Sequence, residues 1–311
     1  MNIALVDPSR AVQTAVVQLL APHGHRISLF TDPRAALARI ALDPTLEAVI
    51  TSAELSPISG MELCWEARLL AGDRRPLYIM LMTSHADERT MIECLDMGAD
   101  DIIGKPPSRK ELFARLRVGE RNIRLQTELV RLATTDPMTG LLNRRAFFEQ
   151  GTALCREVAQ GVQLAAILFD IDHFKEVNDL YGHQTGDEAI RAIATEARKG
   201  HLIAGRLGGD EICILLKQHS LARAWDIAED LRCRIASLRI RTPDGAAKVT
   251  SSMGVSEWKA GQSIDDLIRE ADLALYRAKR EGRDCVSTPP PKAWIADNPR
   301  HVSKVVRRKA R

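Results

Sequence analysis

Two glycines in tandem, Gly208 and Gly209, separate two apolar runs at residues 202–206 and 212–216. A Gly-Gly pair admits the positive φ of a tight turn, so the runs are expected to fold back on each other as an antiparallel hairpin. The turn continues into Asp210 and Glu211. A further apolar run, 164–169, leads into Asp170, Ile171 and Asp172. Strand ends that present acids side by side can gather a hard, oxygen-preferring cation, and Asp170, Asp210 and Glu211 are the candidates. Such a cation bridges phosphates, neutralises developing charge and lowers the pKa of a bound hydroxyl. The glycines also give a ligand room to approach the backbone. Taken alone, the same turn reads equally well as an ordinary hairpin with solvated acids.

Two more clusters narrow the choice. Asn178 and Asp187 lie between the two acidic strand ends. An amide and a carboxylate there can pair with a purine edge, and an acid that accepts from N1–H and N2–H₂ favours guanine. Each also has a plain structural reading, Asn178 as a helix end and Asp187 as a helix N-cap. Near the end of a later helical pattern, Lys279 and Arg283 stand four residues apart. They suit triphosphate oxygens. They also suit dipole compensation at a helix C-terminus, with Gly282 as the cap.

Around these residues, helices are expected at 144–159, 187–199, 220–237 and 263–281, a turn at 136–140 and a further strand at 249–255. Together they make residues 135–286 a mixed sheet packed by helices. Residues 1–118 differ. Strand patterns at 3–6, 27–30, 48–51, 77–82 and 101–103 alternate with amphipathic stretches at 11–20, 33–42, 61–70 and 87–97. That alternation predicts an α/β, doubly wound (βα)5 domain with its working residues at the carboxyl ends of the strands. Residues 108–134 carry one uninterrupted helical pattern. Leu112, Leu116, Ile123 and Val130 recur near heptad spacing, broken by Gly119 and Gln126, which reads as a weak coiled-coil seam over a helical linker at 119–134.

The formal charge of +3 hides an asymmetry. Residues 287–311 hold seven Lys/Arg and one Asp, and the remainder holds 37 basic against 40 acidic residues. That basic tail is expected to be disordered. No aromatic stacking pattern accompanies it, so nucleic acid is not an expected partner. The first residues meet an acid at once and lack a basic leader, no apolar run is long enough to span a membrane, and the six cysteines are scattered without a C-x-x-C pair. These features predict a cytoplasmic protein with reduced thiols.

The second domain resembles the GGDEF family of diguanylate cyclases along its full length. The resemblance rests on four separated motifs in order: Asp136 through Arg145, Asp170 through Asp187, the Gly-Gly turn, and Ala271 through Arg283. It implies a palm-like, nucleotidyl-cyclase-like fold. It further implies that two such domains meet as a homodimer, each holding one GTP, and condense them into cyclic di-GMP and two pyrophosphates. By the same resemblance Asp170, the Ile171 carbonyl and Asp210 hold Mg²⁺, or Mn²⁺ in its place, with Glu211 as metal ligand or base. Asn178 and Asp187 read guanine with Phe174 and His183 nearby. Gly208 and Gly209 line the substrate, and Lys175, Lys279 and Arg283 face phosphates. The chain departs from the pattern at Ile212, where the family has Phe, a smaller filler expected to cost about 1 kcal/mol. It also departs upstream of the turn. Lys199 and Leu202 stand where many members carry the Arg and Asp of a product-inhibition motif, so weak feedback is expected.

Residues 1–118 resemble a response-regulator receiver domain. Thr83 and Lys105 match its switch residues, and Asp7 matches one of its two leading acids. Pro8 replaces the other. The phosphoacceptor position falls on Ser52 by one alignment and Ala53 by another, and neither is Asp. A carboxylate nucleophile and a metal are what phosphoryl capture needs, so a pseudo-receiver is expected, open to a regulatory protein partner, with Glu54 as a candidate fixed charge. The competing expectation for the whole chain is a catalytically silent nucleotide-binding regulator.

Overall fold

The computed structural model describes residues 1–72, 75–84, 88–158, 162–200, 203–242 and 245–289. The basic tail lies almost wholly outside them, as does Leu202. The chain divides into two compact units, Met1–Arg131 and Leu132–Arg311.

The first unit alternates strand and helix: β1 (Asn2–Val6), α1 (Arg10–Leu20), β2 (Arg26–Phe30), α2 (Pro33–Leu42), β3 (Ala48–Ser52), α3 (Gly60–Ala71), β4 (Tyr78–Thr83), α4 (Glu88–Asp96), β5 (Asp101–Gly104) and α5 (Arg109–Thr134). The strands form one parallel sheet in the order β2-β1-β3-β4-β5. Both faces are covered. Ala4, Val49, Ile79 and Leu81 pack on one side, and Ile3, Leu5, Ile50 and Met80 on the other. Near-continuous apolar strands are what burial on two faces requires. The helices begin at recognisable caps. Ser59 and Glu62 form a reciprocal capping box, and Ser9 and Asp32 accept from the first turns of α1 and α2.

The expected seam on α5 is corrected. Leu112 and Leu116 are buried in this unit's own core, Ile123 packs against that core, and Gly119 lies against the Tyr78 ring. The stripe that faces outward is Val118, Leu125, Leu129 and Leu132. Both stripes have helical spacing, and hydrophobicity alone does not say which one meets the sheet.

The second unit contains α6 (Arg144–Val158), β6 (Leu164–Ile171), α7 (Phe174–Tyr181), α8 (His183–Arg198), β7 (Ile203–Gly208), β8 (Glu211–Lys217), α9 (Leu221–Ser237), β9 (Ile240–Thr242), β10 (Gly245–Ala247), β11 (Ser251–Glu257), α10 (Ile264–Arg280) and β12 (Val286–Ser287). The mixed sheet runs β12-β11-β6-β8-β7. Its β6 is central and buried along its whole length, antiparallel to β11 and β8, while β12 pairs parallel with β11. One face packs on α8 and α9 through Ile193, Ala197, Ala228 and Leu231, the other on α6 and α10 through Phe147, Leu154, Leu267 and Leu275.

Two expectations shift here. The helix expected from 187 starts at His183, and α7 precedes it. Gly182 (φ 84°, ψ 158°) separates the two. Asp187 therefore lies inside α8 and is not an N-cap. Ile212 is 1% exposed and packs in the core opposite Phe169, as an apolar filler beneath the hairpin.

Candidate active site

The hairpin of β7 and β8 turns at Gly209 and Asp210, with Gly208 paired to Glu211. Of the two glycines, Gly209 alone takes positive φ, at 50°. The turn is braced from below. The Arg206 Nε donates to the Gly209 carbonyl at 2.8 Å, and its Nη1 meets Asp136 at 3.2 Å. Asp136 also accepts from the Thr139 N–H and hydroxyl. Burial alone would raise the Asp136 pKa, but Thr139 and Arg206 hold it below the ordinary carboxylate range. The opening motif thus anchors the acidic turn, a link that spacing alone did not reveal.

Antiparallel pairing of β6 with β8 brings Asp170, at the end of β6, beside Asp210 and Glu211. Asp170 is 6% exposed, and its Oδ1 has no hydrogen-bond partner among the described residues. Its Oδ2 accepts from the Lys279 ammonium, which α10 delivers. Burial pushes the Asp170 carboxyl up to about 6; Lys279 opposes this, and the nearby Asp210 and Glu211 charges add to it. Asp210 is also raised, chiefly by burial and further by Glu211. Its own backbone amide, Lys279 and the Ile171 amide pull the other way. The site therefore holds more negative charge than its protein partners neutralise.

A divalent cation fits this shortage: a hard ion would meet oxygen donors, among them a buried carboxylate oxygen that nothing else satisfies. Among the described residues no group of three His, Cys, Asp or Glu side chains is already assembled to hold a metal. Lys279 instead engages Asp170.

Helices α7 and α8 carry the expected base-reading residues. They approach so closely that a Cβ at Gly186 would lie 1.9 Å from Asn178 Oδ1 and 3.2 Å from the Phe174 ring. Glycine at 186 is what allows Asn178 and Phe174 to pack against the start of α8, one residue before Asp187. Asp187 is partly exposed and 3.7 Å from Arg191. His183 opens α8 and Lys175 lies in the first turn of α7, both exposed. Arg283 follows α10 in a left-handed conformation. Lys199 caps the end of α8 and pairs with Glu196 at 2.7 Å.

The first unit assembles its own polar cluster at the carboxyl ends of β1, β3 and β4. Lys105 reaches the Ser52 hydroxyl, Glu54 Oε2 at 3.1 Å and Asp7 Oδ2 at 2.9 Å, the last without hydrogen-bond alignment. Glu54 Oε1 accepts from the Ser84 N–H at 3.2 Å and the Thr83 hydroxyl at 3.4 Å, and Oε2 from the Ser52 hydroxyl at 3.1 Å. Burial alone would raise this carboxyl, but the Ser84 amide, Lys105 and Ser52 hold it down to about 2. Pro8 takes no part, while Asp7 Oδ1 accepts from the Ser9 amide.

Comparison with known proteins covers both units. The family model for "Diguanylate cyclase, GGDEF domain" matches residues 133–285, and that for "Response regulator receiver domain" matches residues 3–117. The chain is 31% identical over 296 residues to Response regulator PleD of Caulobacter vibrioides, covering 90% of this chain and 64% of that one. It is 42% identical over 170 residues to Diguanylate cyclase DgcM of Escherichia coli K12, covering 52% and 40%. It thus spans less than two thirds of either relative. Among solved structures, the coiled coil and GGDEF domain of DgcB from Caulobacter crescentus, in complex with c-di-GMP, is 33% identical with a TM-score of 0.52. That match covers 57% of this chain and 98% of that one. No helix among the described residues is long and apolar enough to cross a membrane.

Proposed function

We propose, for a chain whose residues 3–117 belong to the receiver family and whose residues 133–285 belong to the GGDEF family, that the C-terminal domain is a diguanylate cyclase. It condenses two GTP into cyclic di-GMP and two pyrophosphates. The observation that carries this reading is the under-neutralised carboxylate group at Asp170, Asp210 and Glu211; the close approach of Gly186 to Asn178 supports it.

In this reading Asp170, the Ile171 carbonyl, Asp210 and Glu211 would hold Mg²⁺ or Mn²⁺. The ion would supply charge neutralisation at the phosphates and acidify the attacking hydroxyl. Asn178 and Asp187 hold the guanine edge, and Phe174 and His183 border it. Gly208 and Gly209 keep side chains away from the nucleotide. Lys175, Lys279 and Arg283 bind phosphate oxygens, with Lys279 exchanging Asp170 for substrate. Phosphoryl transfer of this kind depends on positioning and charge far more than on covalent participation. One domain holds one nucleotide, so turnover requires a homodimer that brings a 3′-hydroxyl of one GTP to the α-phosphate of the other.

The N-terminal domain, 1–118, acts in this reading as a regulator that does not take a phosphoryl group. Ser52 lacks the carboxylate nucleophile, and Glu54 already engages the Thr83, Ser84 and Lys105 donors. A protein partner then becomes the input. Purified protein given GTP and Mg²⁺ should yield cyclic di-GMP, detected by mass. Bound GTP without product at micromolar protein would select the silent-regulator alternative.

A further inference from the structure

Asp172 stands two residues beyond the candidate metal ligand Asp170, and no role in the reaction has been given to it. It is 5% exposed, yet both its carboxylate oxygens accept hydrogen bonds. Oδ1 accepts from the Ser252 hydroxyl at 2.6 Å. Oδ2 accepts from the Thr250 hydroxyl at 2.8 Å and from the Asp284 backbone N–H at 3.0 Å. Its own N–H donates to the Thr250 carbonyl at 2.9 Å. A buried charge so fully solvated by protein is fixed in place.

The third donor matters most. Asp284 belongs to the turn that ends α10, where Gly282, Arg283 and Asp284 take φ of 116°, 64° and 46° in succession. Two consecutive non-glycine residues in the left-handed region are strained, and such strain persists only where surrounding contacts over-determine it. The contacts are visible. Asp172 takes the Asp284 amide, Arg232 grips the Asp284 carboxylate at 2.7 Å while paired to Glu229, and the Arg283 amide returns to the Ala278 carbonyl at 3.1 Å. What this turn presents is Arg283. Its side chain is exposed, and its guanidinium makes no hydrogen bond or ion pair among the described residues. A buried carboxylate and an ion pair thus hold in place a cation with no polar partner among the described residues, beside the helix end that brings Lys279 to Asp170.

We propose that Asp172, with Arg232, is a positioning residue: together they hold the Arg283 turn so that its guanidinium meets the β- and γ-phosphates of the bound nucleotide. This rests on the cyclase reading of the same site. Neither residue touches substrate. Each acts through Asp284 on Arg283, so its effect is confined to phosphates that Arg283 reaches.

The test measures binding of a non-hydrolysable GTP analogue and of GMP to the full chain with Mg²⁺, for Asp172→Ala, Arg283→Ala and the double variant. Asp172→Ala should weaken the triphosphate analogue about tenfold, the scale of one charge-assisted hydrogen bond to phosphate, and leave GMP within about twofold. With GTP it should raise KM with little change in kcat, as loss of uniform binding does. In the Arg283→Ala background it should cost nothing further. Equal losses for GMP and the triphosphate, or losses that multiply in the double variant, overturn the proposal. Should Asp172→Ala fail to fold, Arg232→Ala, changed at the outer side of the turn, must show the same triphosphate-selective loss; its absence overturns the proposal equally. A wild-type chain that binds neither nucleotide has a different signature: it overturns the cyclase reading and this role along with it.

Discussion

Each unit gathers carboxylates around one lysine, and the two lysines end in opposite situations. In the first, Lys105 serves Asp7 and Glu54, and the other oxygen of Glu54 is met by Thr83 and Ser84. In the second, Lys279 serves Asp170, while the other oxygen of Asp170 has no hydrogen-bond partner among the described residues and two more acids stand nearby. Glu54 is held down to about 2, whereas Asp170 is pushed up to about 6. The number of charges differs little. What differs is burial, far deeper at Asp170 than at Glu54, and whether the second carboxylate oxygen has a donor.

The largest expected effect follows from the under-neutralised site. Asp210→Ala should lower cyclic di-GMP formation by about 10³-fold, the scale on which losing a preorganised electrostatic group acts. Circular dichroism should show the fold intact. Turnover within tenfold of wild type would erase the functional distinction between the two clusters. Next, Mg²⁺ should raise the melting temperature of the C-terminal transition alone. Saturation at a hundred times Kd corresponds to about 2.7 kcal/mol. Calorimetry of wild type and Asp170→Asn tests this, and a shift that survives the substitution breaks the comparison.

A smaller effect concerns pH, with opposite signs for the two acids. Glu54 falls from 4.5 to about 2 on folding. Its contribution is complete above pH 4.5 and is lost as pH falls toward 2. Asp170 rises from 3.8 to about 6, so its contribution is present below pH 3.8 and lost as pH rises through 6. With divalent cations chelated, denaturant titrations of Glu54→Gln and Asp170→Asn against wild type should diverge in opposite directions with pH. Slopes of the same sign would mean that the local contacts do not set these charges. The smallest effects are expected absences. Acetyl phosphate should add no phosphoryl mass to residues 1–118. Added cyclic di-GMP should barely slow progress curves, since Lys199 already pairs with Glu196 at the place where an inhibitory arginine is expected. A stable phosphoryl adduct, or strong inhibition by micromolar product, would contradict these readings.

The parallel sheet is clear in the sequence because its inner strands β1, β3 and β4 are buried on both faces and read as largely apolar runs. The Gly-Gly hairpin was equally plain. Helix α7 shows in the sequence only through the helix-end reading of Asn178, although Phe174 and Val177 have helical spacing and pack on the core. Its eight residues are short, and Gly182 and His173 interrupt the pattern at both ends. Strand β12 has two residues, too few for any period. The α5 seam was misassigned because two apolar stripes share the helix. Among site residues, Asp170, Asp210 and Glu211 were legible from strand ends. The bracing of the turn by Arg206 and Asp136, seventy residues apart in sequence, and the grip of Asp172 on Asp284 arise from tertiary placement, which spacing does not encode.

The cluster at Ser52, Glu54 and Lys105 also bears on how this chain can change over evolutionary time. An aspartate introduced at position 52 would enter an already occupied cluster. It would set a third carboxylate beside Asp7 and Glu54 around a single ammonium, with Glu54 still occupying the Thr83 and Ser84 donors. A second change that frees those donors, such as Glu54→Ala, is therefore expected to be needed alongside it.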